Sequence, residues 1–393
     1  MSRPSTLIVG AGIFGATAAL ELIRRGHRVT LLNHTAGTDP LASSNDFSRL
    51  VRADYGSDGF YAALMAQAIP RWQDWNERSG ETLYHQDGFL VLAGGRMSAG
   101  GFEDESYATL TSQMSSKHLA PVRLNAALRE RFAVWSPALL TDGYFNPRAG
   151  WVESGHVLEW LLAQARSSGV PAVATTVVGF LERRGRVAGA VAADGSHYRA
   201  DLTLVAAGAW TPALLPHLDQ LMWATGHPLH YFQLPEDAVA KFQPPHFTPW
   251  AYDIANTGLY GFPATSDGRL KIGCHGPGRR VNAAESRSTS QADEARARDF
   301  MAKAWPAAAG ATLAGSRLCL YCDSSDGDFY IDHDPDRPGL VVASGDSGHG
   351  FKFAPFLGEI IADVCEGRAN PWAGRFAWRQ RAGRHKEEAR WKG

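Results

Sequence analysis

Cysteine is scarce, four in 393 residues. That is too few for a disulfide scaffold in a chain of this length, and it fits a reducing, cytoplasmic compartment. No apolar run approaches the ~20 residues needed to span a bilayer, so no membrane partner is expected. The apolar stretch at 7–22 is broken by Gly10, Gly12 and Gly15 and has no small-residue cleavage site after it, so no secretory leader is expected. The last residues, Trp391-Lys392-Gly393, carry no peroxisomal address. An excess of one charge is missing too: 39 Lys and Arg stand against 40 Asp and Glu, for a net charge of -1. Such a balance leaves no electrostatic footprint for nucleic acid or an anionic lipid surface. No repeat at a period of about 20–50 residues is evident, which excludes a solenoid or propeller.

What is present is a globular composition, 45% hydrophobic and 20% charged, in a chain long enough for two lobes or one large α/β domain. Residues 6–34 read as strand, tight turn, helix, strand. Thr6-Leu7-Ile8-Val9 is a short apolar run bounded by glycine, and residues 16–25 place Ala19, Leu22 and Ile23 at helical spacing. Gly26 closes that helix before a second buried strand, Val29-Thr30-Leu31-Leu32. The run is the opening of a parallel sheet with a crossover helix. Residues 202–207, and 339–344 followed by an apolar helix at 355–365, read as further strands of the same sheet. Residues 227–275, rich in aromatics and prolines, predict irregular β-structure. Residues 282–304 predict a surface helix after a polar start, and the basic stretch 375–393 a solvated terminus.

Gly10-Ala11-Gly12-Ile13-Phe14-Gly15 matches GxGxxG in the required place, after a strand and before a helix. The first glycine permits the tight turn, the second lets the backbone approach a pyrophosphate, and the third lets helix pack closely on strand. The helix N-terminus supplies amide donors and a positive dipole end. The second strand normally ends in Asp or Glu for the ribose hydroxyls; here it ends in Asn33. An amide still hydrogen-bonds a diol but lacks the charge that repels a 2'-phosphate. Asn33 is also readable as a simple strand-end turn residue.

Further segments follow in order: Ser48-Arg49-Leu50-Val51-Arg52, Gly208-Ala209-Trp210, Tyr260-Gly261-Phe262-Pro263, and Leu270-Lys271-Ile272-Gly273-Cys274-His275. Then come Cys319-Leu320-Tyr321 and Gly348-His349-Gly350-Phe351-Lys352-Phe353. With the glycine turn, this ordered set resembles the monomeric sarcosine oxidase family of amine-oxidising flavoproteins, which includes N-methyltryptophan and fructosyl-amino-acid oxidases. The resemblance implies FAD rather than NAD. It also implies an α/β fold in two discontinuous lobes: a Rossmann-like FAD-binding domain (1–85, 150–215 and 330–393) and a β-rich, α+β substrate domain (86–149 and 216–329).

The resemblance implies the chemistry as well: oxidation of the C–N bond of a secondary (N-alkyl or cyclic) amino acid to an imine, with dioxygen reduced to hydrogen peroxide. Reduced flavin passes electrons to dioxygen through a superoxide-like state, so a fixed cation near the ring lowers that barrier. By its match to the motif this cation is Lys271; a lysine facing solvent at a strand end is the alternative. His275, four residues on, either holds the substrate amine or is a hydrogen-bonded turn histidine. On one strand, the even spacing would point both to one face. Arg52 and Lys352 match the family's carboxylate clamp, Arg49 the arginine set against the flavin, and Tyr260 lies in the matched substrate-side segment. The implied cofactor set is Gly10, Gly12, Ile13, Phe14, Gly15, Asn33, Ser48, Arg49, Val177, Ala207, Gly208, Trp210, Cys319, Gly348, Gly350, Phe351 and Lys352.

Cys319 and Cys322 form a CxxC, but no second CxxC or His pair lies nearby to complete a zinc site, and the flanking residues read as strand. In the family the cysteine matching Cys319 carries a thioether to the flavin, so FAD is expected to be covalent through Cys319. Cys322, Cys274 and Cys365 are expected to be inert thiols. The aromatics of 223–262 suit either an aromatic or cyclic substrate or the packing of the smaller lobe. The expected partners are a small amine or amino-acid substrate and O2, acting on a monomer. The alternatives are a deglycating oxidase acting on a sugar-derived amine, a dehydrogenase that passes electrons to a carrier, and a non-catalytic flavin-binding assembly protein.

Overall fold

The computed structural model describes residues 3–113, 120–285, 287–380 and 388–393. Strands Tyr330–His333, Leu340–Ser344, Leu202–Val205, Ser5–Val9, Arg28–Asn33 and Ala172–Ala174 form, in that order, one six-stranded sheet. All neighbours are parallel except the antiparallel edge strand Tyr330–His333. Helices cover one face and the small antiparallel sheet Val177–Arg183, Arg186–Ala192 and His197–Arg199 packs on the other, which is why these strands read as unbroken apolar runs rather than alternating ones. Ile8, Leu31 and Leu204 are essentially fully buried, each stabilising the sheet by about 1.5–3 kcal/mol. The crossover helix is Ile13–Arg24, beginning three residues ahead of the stretch that periodicity marked, because the glycine turn leads straight into it. Helix Ala354–Cys365 packs beside it.

A nine-stranded, largely antiparallel sheet forms the second layer system. Its order is Arg279–Arg280, Met222–Gln233, Arg269–Cys274, Leu259–Gly261, Trp250–Tyr252, Phe89–Leu92, Gly143–Asn146 and Val122–Arg123. The thirteen-residue strand Thr312–Ser324 pairs with Met222–Gln233. One face of this sheet buries Trp135, Trp250, Trp305, Phe242, Phe247 and Phe300 against helix Gln291–Ala304. Most of the aromatic excess is therefore core, while Tyr231 and Tyr260 belong to a separate cluster with Cys319 and Tyr321.

Three expectations are corrected. Residues 227–275 are not irregular β-structure: they contain most of the long strand Met222–Gln233 and three shorter ones. Pro228 is tolerated there because it falls between the two partners on one edge, after the pairs to Arg279–Arg280 and before those to Arg269–Cys274. The helix assigned to 282–304 spans only Gln291–Ala304, because Ser290 and Asp293 form a capping box that starts it. Finally, the basic terminus is fastened to the body. Arg375 pairs with Asp58 (2.6 Å) and Asp328 (2.9 Å), Arg379 with Asp326 (2.5 Å), and the buried Arg390 with Asp323 (2.8 Å). The cations that suggested a solvated end find Asp323 at the end of strand Thr312–Ser324, Asp326 and Asp328 just after it, and Asp58 at the start of helix Gly59–Ser79; residues 381–387 lie outside the described residues. Among the described residues no helix is long and apolar enough to cross a membrane.

Candidate active site

A cavity of about 840 Å³ runs along the C-terminal edge of the parallel sheet, lined by residues 9–14, Asn33, 175–178, 206–210 and Asp346. Gly10 holds φ +107°, and a Cβ there would lie 2.4 Å from the Ala206 carbonyl oxygen. A Cβ on Gly15 would lie 1.9 Å from the Gly10 oxygen, so helix and strand meet only because that position is glycine. The first turn of the helix holds no acidic residue and its N-cap, Gly12, has no side chain; Ile13 N is taken by Ser44 Oγ (3.0 Å), and Ile13 and Phe14 line the cavity. A dinucleotide fits this cradle: a large cavity, bare glycine backbone and a helix N-terminus with no acidic residue in its first turn.

Val177, Ala207, Gly208 and Trp210 line the same cavity. Asn33 also lines it, yet its carboxamide braces the turn. Its Oδ1 accepts from Ala11 N (3.2 Å), and its Nδ2 donates to the Thr35 and Gly37 carbonyls (both 3.1 Å). Gly350 faces the Phe14 ring, since a Cβ there would come within 2.7 Å of it.

Beyond lies a smaller pocket of about 80 Å³. It gathers Arg49, Arg52, Tyr260, Lys271, His275, Cys319, Gly348, Phe351 and Lys352, all singled out from sequence, together with Tyr321 and His349. Lys271 comes from strand Arg269–Cys274, and His275 lies one residue past that strand's end. Cys319 and Tyr321 alternate on strand Thr312–Ser324 and so share a face, whereas Cys322 points to the other. Lys352 sits in the single 3-10 turn Phe351–Phe353 that precedes helix Ala354–Cys365.

The pocket's electrostatics are set by buried cations. Lys271 has no exposed side-chain surface; its Nζ donates to Asp46 Oδ2 (2.6 Å) and the Ser48 carbonyl (2.7 Å). Burial pulls its pKa down to about 7, with Asp46 acting in the opposite sense. Burial alone would raise the Asp46 carboxyl, but Lys271, Arg49 and Arg317 hold it far below the carboxylate range. Arg49 also reaches Cys319 Sγ at 3.5 Å. Arg52 is buried with its Nη1 lacking any hydrogen-bond partner, 5.1 Å above the Tyr55 ring. Lys352 Nζ donates to the His349 carbonyl (2.9 Å) and lies 5.4 Å above the same ring. Burial raises Tyr260 and Tyr321, which stay neutral phenols. It lowers His227, stacked 3.8 Å from the Tyr321 ring, to about 3.

Sequence reasoning missed Asp46, Ser44, His227 and Arg317. Ser44 Oγ accepts from Ile13 N (3.0 Å) across the mouth of the glycine turn. Only Asp46 left a trace, as an acid two residues ahead of Ser48-Arg49. The remaining cysteines are passive: burial raises Cys274, and pushes Cys322 and Cys365 up to about 12.

The profile of the family described as FAD dependent oxidoreductase matches residues 5–364. The chain belongs to this family. As an FAD-dependent oxidoreductase it is 30% identical over 370 residues to the N-methyl-L-tryptophan oxidases of Salmonella heidelberg and Salmonella typhi, covering 92% of this chain and 94% of each relative. The fructosyl amine: oxygen oxidoreductase (Amadoriase I) of Aspergillus fumigatus superposes with a TM-score of 0.78 at 25% identity, over 96% of this chain and 90% of that one. The fructosyl peptide oxidase of E. terrenum shares the fold, with a TM-score of 0.83 at 21% identity over 99% and 94% of the two chains.

Proposed function

We propose that this FAD-dependent oxidoreductase is an oxidase of secondary amino acids, converting the C–N bond to an imine and dioxygen to hydrogen peroxide. The observation that carries the reading is Arg52: a buried guanidinium with an unpartnered Nη1, lining one pocket with Lys352 and Lys271. The Arg52 charge reaches the buried Asp54 carboxyl, but its Nη1 is left without an acceptor; that is costly, and a substrate carboxylate between Arg52 and Lys352 would relieve it with charge-assisted hydrogen bonds. FAD, when bound, supplies the two-electron acceptor for the C–N bond and the donor to dioxygen.

The chain's own residues do the rest. Arg52 and Lys352 orient the carboxylate, His275 receives the amine, and Tyr260 walls the substrate side. Arg49 sets a cation against the cofactor, and Lys271 stabilises the negative charge that develops on oxygen. Gly10, Gly12, Ile13, Phe14, Gly15, Ala207, Gly208, Trp210 and Val177 cradle the dinucleotide, and Cys319 forms its thioether link. The same reading divides the chain at 1–85, 150–215 and 330–393 against 86–149 and 216–329; the six- and nine-stranded sheets, each drawn from one of these sets, support it. It also takes the enzyme as a cytoplasmic monomer, consistent with four free thiols.

The first test is the visible spectrum of the purified protein before and after acid precipitation, followed by anaerobic mixing with N-methyl-L-tryptophan and sarcosine. Flavin that stays with the pellet, bleaching by a secondary amino acid, and one peroxide per turnover in air are expected. Flavin left oxidised by every secondary amino acid tried would overturn the reading. A deglycating oxidase is the second reading, favoured by the 25% identity to Amadoriase I; bleaching by a fructosyl amino acid in preference to its N-methyl counterpart would select it.

A further inference from the structure

We propose that Asp46 is the positioning residue of the oxygen-reacting side of this pocket: its carboxylate fixes the Lys271 ammonium in place and keeps it a cation. The inference rests on the role proposed above for Lys271.

Asp46 is almost wholly buried, with 3% of its side chain exposed, and it collects groups from four strands. Lys271 Nζ lies at 2.6 Å, Arg49 Nη1 at 2.5 Å, Tyr231 Oη at 3.0 Å and Arg317 Nη2 at 3.6 Å. The remaining contacts of Lys271 are neutral: the Ser48 carbonyl and hydroxyl, and the Phe262 and Phe47 rings at 4.6 and 5.4 Å. The other titratable groups that face it are Arg49 and Cys319, with Tyr231 opposite it in the ladder and Tyr260 and Arg317 nearby. Asp46 is thus the carboxylate that offsets a crowd of cations.

The direction of the effect follows from which cation can yield. Arginine does not release its proton in a protein, whereas a buried lysine does so readily. If Asp46 lost its charge, Arg49 and Arg317 would stay charged, and Lys271, which titrates near pH 7 with the carboxylate beside it, would give up its proton at a lower pH. The cation would then be lost from the one place where oxygen needs it. A simple brace between the 43–48 loop and the sheet would hold geometry but would not move a titration.

The test uses the holoenzyme, wild type beside Asp46→Asn, Asp46→Glu and Lys271→Met. Flavin is reduced with dithionite and mixed with oxygenated buffer across pH 5–9.5; separately, the oxidised flavin spectrum is titrated over the same range. Wild type should show a one-proton transition near pH 7 in both readouts, absent in Lys271→Met. In Asp46→Asn the midpoint should fall by about 1–3 pH units, so that reoxidation at pH 8 slows by about tenfold or more and recovers in acid. Asp46→Glu should restore most of the wild-type midpoint.

An unshifted midpoint in Asp46→Asn overturns the proposal. Should that variant not yield holoenzyme, Arg317→Gln answers the same question with the opposite sign. It frees the carboxylate for Lys271 and should raise the midpoint; no rise overturns the proposal equally. If wild-type flavin reoxidises no faster than free reduced flavin, the oxidase reading fails, while the spectral midpoints still decide whether Asp46 governs Lys271.

Discussion

Cys319 and Cys322 lie three residues apart on one strand and face opposite ways: Cys319 Sγ is 3.5 Å from Arg49 in the reactive pocket, and Cys322 Sγ is 3.4 Å from Ser344 Oγ behind it. The period-2 alternation of a strand separates them, so the CxxC is neither a redox pair nor half of a metal site. Cys319→Ala should leave FAD bound but released to the supernatant by acid. Cys322→Ala should keep the flavin with the precipitate; loss of the link in both variants would remove the assignment to Cys319.

Lys271 is buried beside the expected oxygen site. Lys271→Met should slow reoxidation of reduced flavin by about 10²–10³-fold, the scale of losing one preorganised charge-stabilising group. Reduction by substrate should change little. Stopped-flow mixing of each half-reaction measures the two separately, and equal slowing of both would take the oxygen role away from Lys271.

Arg52 has an unpartnered Nη1 within the pocket. Arg52→Ala should raise KM for carboxylate substrates by about 10–100-fold, the ~1.5–3 kcal/mol of a hydrogen bond to a charged group. Flavin content should be unaltered, and the esterified substrate should discriminate poorly between variant and wild type. Steady-state kinetics with the flavin absorbance ratio checks both points; lost flavin would give Arg52 a structural part instead.

His227 is a stability switch in acid. Burial lowers its pKa from 6.5 to about 3. Between those values the unfolded chain takes up a proton that the native fold refuses, so stability falls as pH drops through that window. The slope is at most about 1.4 kcal/mol per pH unit for one proton. Urea unfolding at pH 4 and 7 should show a smaller difference for His227→Gln than for wild type. An unchanged difference would mean that the native fold accommodates a charged His227.

The sequence alone determined whatever depends on near neighbours. Gly10, Gly12 and Gly15 between two apolar runs specify a strand-turn-helix, because the close approach of Gly15 to the Gly10 carbonyl is a local steric requirement. The strand reading around Cys319 and the nearness of Lys271 to His275 are legible for the same reason, since strand alternation is local. Tertiary structure decided the rest. Asp46 is an unremarkable loop acid until a strand 225 residues later brings Lys271 to it, and Arg375, Arg379 and Arg390 look solvated until Asp328, Asp326 and Asp323 are set opposite them. An ion pair carries no periodicity: its worth depends on how dry the place is where two distant segments meet, and only the folded chain sets that.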